Sequence, residues 1–252
     1  MNLKSLIKKK VEKKLKRYLN IIPEYKQEIR FYYYKSLGIN FNKVLDIGAY
    51  LGTWKEMFEK IFPSSKILMI EANRQKEEDL KKKGKYLIAL LGSKNNEIIN
   101  YFKCENEHIS SGNSVYKELT NYKFQPEERK TITLSTLLKN SVGFDLIKID
   151  TQGSELEILK GGKRIIKKTK FLLLEISIAE YNLKAPQCQQ VLKYLEDNNF
   201  LLVDIFDLHY RNGSLTHFDG FFVNKKYKKL IKLLNLKLQK NLFKKFYDFK
   251  GQ

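Results

Sequence analysis

Short apolar runs recur through the middle of the chain, and between them lie stretches whose apolar residues fall three and four apart. The runs KVLDIG (43–48), KILMIEA (66–72), YLIALLG (86–92), DLIKID (145–150), KFLLLEIS (170–177) and FLLVDIF (200–206) are nearly continuous, as expected of strands buried on both faces. Residues 52–62, 74–83, 154–168 and 186–198 carry the helical period. This alternation predicts an α/β domain whose largely parallel sheet is covered by helices on both sides. Beyond residue 200 the alternation stops. FLLVDIFDLHYRNGSLTHFDGFFVN holds two strand-like runs joined by RNGS, which leaves no room for a helix, so these two strands are expected to be antiparallel. Stretch 97–138 is less regular: NEIINYFKC and TITLSTLL read as strands around the polar loop ENEHISSGNSVYKELTNYKF. A loop of that length inside a compact domain is often functional.

Size and composition narrow the picture. With 252 residues, 42% hydrophobic and 13% aromatic, the chain suits one large domain with appendages and a sizeable core. No apolar run approaches the roughly 18–20 residues that span a bilayer. The Lys-rich start lacks a continuous apolar segment, so a secretory signal is not expected. The two cysteines, Cys104 and Cys188, show no ligand spacing and no disulfide framework, which suits a reducing, cytoplasmic setting.

The net charge of +20 is concentrated at the ends. Residues 1–19 hold eight basic residues against Glu12, and residues 225–252 hold ten lysines against Asp248. The remainder is nearly balanced, unlike a domain that grips nucleic acid with its folded face, so nucleic acid is not expected as a partner. Both ends are amphipathic: Leu3, Ile7, Val11, Leu15 and Leu19 form one stripe, and Tyr227, Ile231, Leu234, Leu238, Leu242, Phe246 and Phe249 another. The expected organisation is a basic helix at 1–19, a central domain at 20–224 and a second basic helix at 225–252. Two uses of the stripes stay open. They pack on the domain or on a second subunit of a homo-oligomer, or they attach the protein to an anionic membrane surface on its cytoplasmic side.

In open α/β sheets ligands bind beyond the carboxyl ends of the strands. The first such end reads VLDIGAYLGTW, with Asp46, Gly48, Ala49 and Gly52 in a D-x-G-x-x-x-G pattern. A pyrophosphate would be repelled by Asp46, whereas a cationic amino group, as at the methionine end of S-adenosylmethionine, would be attracted. The alternative role for Asp46 is to cap backbone amides. Glu71, 25 residues later and followed by Ala72, can accept both hydroxyls of a ribose; its alternative is a solvated carboxylate at a helix start. The third end, LLGSKNN, places Leu91 where an adenine would lie. The fourth, FDLIKIDTQGSELEILKGG, sets Asp150, Gln152 and Glu155 around a turn that needs only Gly153.

With these motifs the chain resembles the FkbM family of S-adenosylmethionine-dependent methyltransferases over about residues 43–224. It carries VLDIGAYLG, IEAN, TLSTLL ahead of the fourth-strand motif, and the late FDGFFVN. It departs at Tyr50, where the family often has Asn, at Ala72 for Pro, at Gln152 for Glu and at Ser135 for Asp. The resemblance implies a Rossmann-like class I fold, a seven-stranded mostly parallel sheet with a reversed last strand. It implies S-adenosyl-L-methionine as cofactor, held by Asp46, Gly48, Ala49, Gly52, Glu71, Ala72 and Leu91. It also implies O-methylation of a hydroxyl on a sugar or related cell-surface glycan precursor.

Attack by a hydroxyl needs a proton acceptor. Asp150 is the first candidate and Glu175, at the end of its strand, the second; Asp150 could instead only orient the cofactor. Gln152, His209 and His217 are expected to border the acceptor, and His108 to be a surface residue. A metal site drawn from Asp150, Glu175 and His209 has no supporting ligand spacing, so none is expected. Of Tyr32, Tyr33 and Tyr34, core packing is the expected role, covering the site the alternative. Two other functions compete: an RNA methyltransferase, against which stands the missing Pro-Pro-aromatic signature, and a non-catalytic cofactor-binding adaptor, against which stand the retained acids and glycines.

Overall fold

The computed structural model describes residues 26–106, 111–227, 229–232 and 234. The stripe at 1–19, His108 and the stripe beyond Leu234 therefore lie outside the described residues. The strands are β1 Lys43–Ile47, β2 Lys66–Glu71, β3 Tyr86–Ile88, β4 Ile98–Cys104, β5 Phe124–Lys130, β6 Leu146–Ile149, β7 Phe171–Ser177, β8 Phe200–Arg211 and β9 Ser214–Asn224. Seven form one sheet in the order β3-β2-β1-β6-β7-β9-β8. All pairs from β3 to β7 are parallel, and β9 runs antiparallel to both β7 and β8. The expected reversed last strand is therefore present. Its hairpin turns at Asn212 and Gly213, both with positive φ (50° and 81°), the backbone that an Asn-Gly pair adopts most readily.

The strands read as continuous apolar runs because each of their faces meets its own layer of helices. Leu45, Ile147 and Leu172 point to one side, where Ile158 and Leu159 of α5 (Glu155–Gly161) and Val191 and Leu195 of α7 (Cys188–Asp197) cover them. Their neighbours Val44, Leu146, Phe171 and Leu173 point to the other. There α1 (Gln27–Ser36) and α2 (Thr53–Ile61) contribute Phe31, Tyr34, Phe58 and Ile61. Phe31 is fully buried and meets Phe41, Phe58, Phe206 and Phe221 edge-on; full burial of such a side chain contributes about 1.5–3 kcal/mol. Tyr34 also belongs to this core, donating its hydroxyl to Asp204 (2.6 Å), while Tyr32 is exposed. α3 (Glu77–Lys83), α4 (Leu134–Leu137) and α6 (Lys163–Ile166) complete the helices of this part.

Three segments differ from expectation. TITLSTLL is not a strand: Thr133 caps α4, its hydroxyl accepting from the Thr136 amide, and only Ile132 bridges to Leu91. The partner of β4 is instead β5, FQPEERK, which lies between the expected loop and TITLSTLL and beyond Phe124 belongs to neither. β5 is almost wholly solvent-facing, so it has no apolar alternation to betray it. The helix expected over 154–168 breaks at Gly162 into α5 and α6. The described start of the C-terminal stripe follows one of its two expected uses and packs on the domain: Leu234 is buried in the Phe31 layer, with Leu230 and Ile231 against it.

Candidate active site

The carboxyl ends of β1, β2 and β6 and the turns after them open into a cleft of about 290 Å³. Its floor begins at Gly48, where φ is +77° and a Cβ would sit 1.8 Å from the Asp150 carbonyl oxygen. Only glycine lets the two turns approach this closely. Tyr50 follows in the left-handed region (φ 49°), a conformation asparagine adopts more readily than tyrosine. Glu71 stands on the wall, its Oε2 accepting from the Tyr50 amide and its Oε1 from the Asn73 amide, both at 2.7 Å. Burial raises its pKa against those backbone donors. Each oxygen retains a lone pair for a hydroxyl donor.

Lys148, in the middle of β6, is the cation of the site. Its Nζ lies 3.1 Å from Asp150 Oδ2 and 3.6 Å from Asp46 Oδ1. Asp46 is fully buried, has no hydrogen bond to either oxygen, and is pushed up by burial against the pull of Lys148. Asp150 is pushed up by burial too, but there Lys148 wins and the carboxyl falls below its ordinary range. Gln152 donates from Nε2 to Asp150 Oδ1 (3.2 Å) and to Glu175 Oε2 (3.0 Å), linking the two acids. Glu155 has a structural role in this turn: its Oε1 accepts from the amides of Thr151 (2.9 Å) and Gly153 (3.2 Å). Burial raises Glu155 to about 7.

Glu175 is raised well above its ordinary value, by burial first and then by Asp150, Glu155 and Asp219. Its Oε1 lies 3.4 Å from His217 Nε2. Thr216 donates its hydroxyl proton to the His209 carbonyl (3.0 Å), so at its contact with His217 Nδ1 (3.1 Å) it must accept. Nδ1 therefore carries the ring proton and Nε2 presents a lone pair to Glu175. Burial, aided by His209, lowers His217 to about 4, so the proton between the two belongs to Glu175. His209 is exposed and stacks on His217, centroids 4.1 Å apart.

Gly48, Ala49, Glu71, Ala72, Leu91, Asp150 and Gln152 thus share one cleft. Asp46 stands behind Lys148 rather than on the wall, and a Cβ at Gly52 would meet Lys83, Met69 and Leu80. Glu175, His209 and His217 lie behind Gln152, outside the cleft wall. Among the described residues no three His, Cys, Asp or Glu side chains are grouped to hold a metal ion. Among the wall residues not singled out from the sequence are Lys148, Trp54 and Gln27. Lys148 was visible as a charge inside a run expected to be buried. Trp54 is the only tryptophan of the chain. Gln27 gave no signal: it accepts from Trp54 Nε1 (2.7 Å) and donates to Asp219, which is 192 positions away.

A doubly wound sheet with a reversed last strand and a ligand cleft at the carboxyl ends of its strands is the Rossmann-like methyltransferase architecture. The sequence profile described as "Methyltransferase FkbM domain" matches residues 46–202, and the chain belongs to the FkbM family of S-adenosylmethionine-dependent methyltransferases. No curated protein matches it in sequence. Among solved structures it is similar to an S-adenosylmethionine-dependent methyltransferase from Clostridium acetobutylicum (11% identity, 84% of this chain and 98% of that one, TM-score 0.45). It is also similar to precorrin-6y C5,15-methyltransferase from Geobacter metallireducens (14%, 79% and 89%, TM-score 0.42). A third is fibrillarin from Aeropyrum pernix, solved with S-adenosyl-L-methionine (12%, 73% and 67%, TM-score 0.44).

Proposed function

We propose that the protein methylates a hydroxyl of a sugar or related glycan precursor, with Asp150 receiving the hydroxyl proton. The carrying observation is the placement of Asp150: on the cleft wall, at a strand end, 3.1 Å from Lys148, which holds its carboxyl below the ordinary range while burial raises the neighbouring Glu175 and Asp219. Glu175 lies behind Gln152 and off the cleft wall, and is then not the base. It fixes Gln152, and Gln152 fixes Asp150.

The cleft fits S-adenosylmethionine. Glu71 offers lone pairs for the ribose, and Leu91 with Ala89 and Ile158 offers an apolar shelf for the adenine. Lys148 suits the carboxylate of the amino-acid end. Asp46, buried behind Lys148 at 3.6 Å and without a hydrogen bond to either oxygen, tempers that lysine's charge under the cleft. When bound, the cofactor supplies a methyl group already activated on a sulfonium. The chain then has to position the acceptor oxygen and take its proton, a contribution of about 10²–10⁴-fold for the proton acceptor. Gln27, Trp54 and Gln152 line the acceptor side with amide and aromatic surface. Glu175 and Asp219, both neutral-leaning, stand behind them. A hydrogen-bonding wall of this kind suits an uncharged polyol better than a polyanion such as RNA.

Transfer of a labelled methyl group to a panel of saccharide acceptors and to RNA tests the substrate class. Labelling of RNA, or of an amino sugar only at nitrogen, overturns it. In the same assay Asp150→Asn should lower turnover by about 10²–10⁴-fold while S-adenosylhomocysteine affinity changes far less. Equal losses would make Asp150 a cofactor-orienting residue instead.

A further inference from the structure

A group of the folded domain's lysines stands at the amino-end edge of the sheet. Lys43 opens β1 and Lys66 opens β2, paired in register; Lys85 immediately precedes β3 and Lys170 precedes β7. β9 runs the other way, so its end reaches the same edge, followed by Lys225 and Lys226. Backbone bonds hold the segments there: Asn224 N–H to the Lys170 carbonyl (2.9 Å) and Lys225 N–H to the Asn199 carbonyl (2.7 Å). Two shallow depressions result, one bordered by Lys43, Lys66 and Lys85, the other by Lys163, Lys167, Lys225 and Lys226. The acids beside them are already engaged, Asp145 by Lys170 (2.7 Å) and Asp197 by Lys193 (3.2 Å).

Helix ends explain part of this. Lys35, Lys60, Lys83 and Lys163 lie in last turns, where a cation stabilises the macrodipole. Strand starts have no comparable dipole. Lys170 pairs with Asp145 and Lys43 bonds Ser141 (3.0 Å), so among the strand starts it is the exposed Lys66 and Lys85 that call for a partner outside the domain.

We propose that this basic edge docks on an anionic lipid bilayer, leaving the cleft at the opposite end of the strands open to the aqueous side. The inference is independent of the acceptor's identity. Three observations favour lipid over nucleic acid. The patch is made of lysines, point charges sufficient for a diffuse lipid surface; its one arginine, Arg164, is spent on the carbonyls of Ser135, Leu138 and Ser141. Its aromatic rings are engaged by the protein: Phe144 is buried beneath Lys43 (Nζ 4.6 Å from the ring), and the half-buried Tyr227 donates its hydroxyl to the Lys168 carbonyl (3.4 Å). And the sequence from Lys225 onward, whose described start packs back on the domain through Leu230, Ile231 and Leu234, holds ten lysines, a charge density that suits an anionic lipid surface.

The test is sedimentation of the full chain with vesicles of phosphatidylcholine alone or mixed with phosphatidylserine. The protein should bind the mixed vesicles, release with salt, and ignore phosphatidylcholine. Lys43→Glu/Lys66→Glu/Lys163→Glu/Lys167→Glu, all exposed positions, should weaken binding by about tenfold or more. The matched variant Lys94→Glu/Lys117→Glu/Lys123→Glu/Lys130→Glu, on cleft-side segments, should stay within about twofold. Glutamine in place of glutamate at the four edge positions, with unchanged melting and S-adenosylhomocysteine binding, separates docking from misfolding. Equal losses in both glutamate variants, no loss in the edge variants, or binding to single-stranded RNA but not to vesicles would each overturn the proposal.

Discussion

At the carboxyl ends of the parallel strands stand Asp46, Glu71, Asp150 and Glu175, in or just behind the wall of the cleft. Burial moves the titration of each, and protein groups answer it: the amides of Tyr50 and Asn73, the ammonium of Lys148, the amide of Gln152. At the amino ends stand Lys43, Lys66 and Lys85, exposed. The contrast shows how one sheet serves two kinds of charge. A buried charge must find its partner inside the fold, because desolvation is otherwise prohibitive. An exposed charge is left free to find a partner outside it.

The comparison can be broken most severely at Gly48. Gly48→Ala drives a Cβ into the Asp150 carbonyl at a positive φ and should destabilise by more than about 4 kcal/mol. Gly38, near the amino edge, also has a positive φ (82°) but nothing within 4 Å, so Gly38→Ala should cost about 1–2 kcal/mol. Thermal melting of the two variants compares them directly, and equal losses would mean the cleft end is not the more tightly built. Next in size is Lys148→Met, which strands the Asp46 and Asp150 carboxylates and should cost about 3–5 kcal/mol. It also removes the group that holds Asp150 below its ordinary range, so the acidic limb of the activity profile should move to higher pH.

Smaller effects sharpen the picture. Glu71→Ala should weaken S-adenosylhomocysteine binding by roughly 1–3 kcal/mol in calorimetry; unchanged affinity would remove Glu71 from the ribose. Glu155 supplies a pH signature. Its folded pKa, about 7, lies above the unfolded value, so between the two the folded state holds the extra proton. Stability from this group is therefore greatest at low pH, falls as pH rises through that window, and levels off above about 7. Glu155→Gln should flatten that slope in denaturant titrations on either side of the window. Least of all, Lys43→Gln should change stability by under about 1 kcal/mol, the size of an exposed ammonium's contact with the Phe144 ring.

The sequence carried the sheet because parallel strands are buried on both faces and announce themselves as apolar runs. It also carried Gly48, Glu71 and Asp150, because residues at successive strand ends converge wherever such a sheet is doubly wound. β5 escaped for the opposite reason: with both faces in solvent, FQPEERK has no pattern. Charge counting along the chain also lacks this detail. The central domain sums to near neutrality, yet a group of buried acids stands at one end of the sheet and a group of exposed lysines at the other.

What the sequence determined by itself is whatever depends on neighbours in the chain: strand and helix alternation, the glycine turns, and the acid at each strand end. Only the tertiary structure decided which acid stays ionised. That depends on Lys148 reaching both Asp46 and Asp150, on Gln152 joining Asp150 to Glu175, and on Gln27 arriving from the far end of the chain to meet Asp219. Protonation follows from desolvation and charge at distances of a few ångströms, and those distances exist only once the chain has folded.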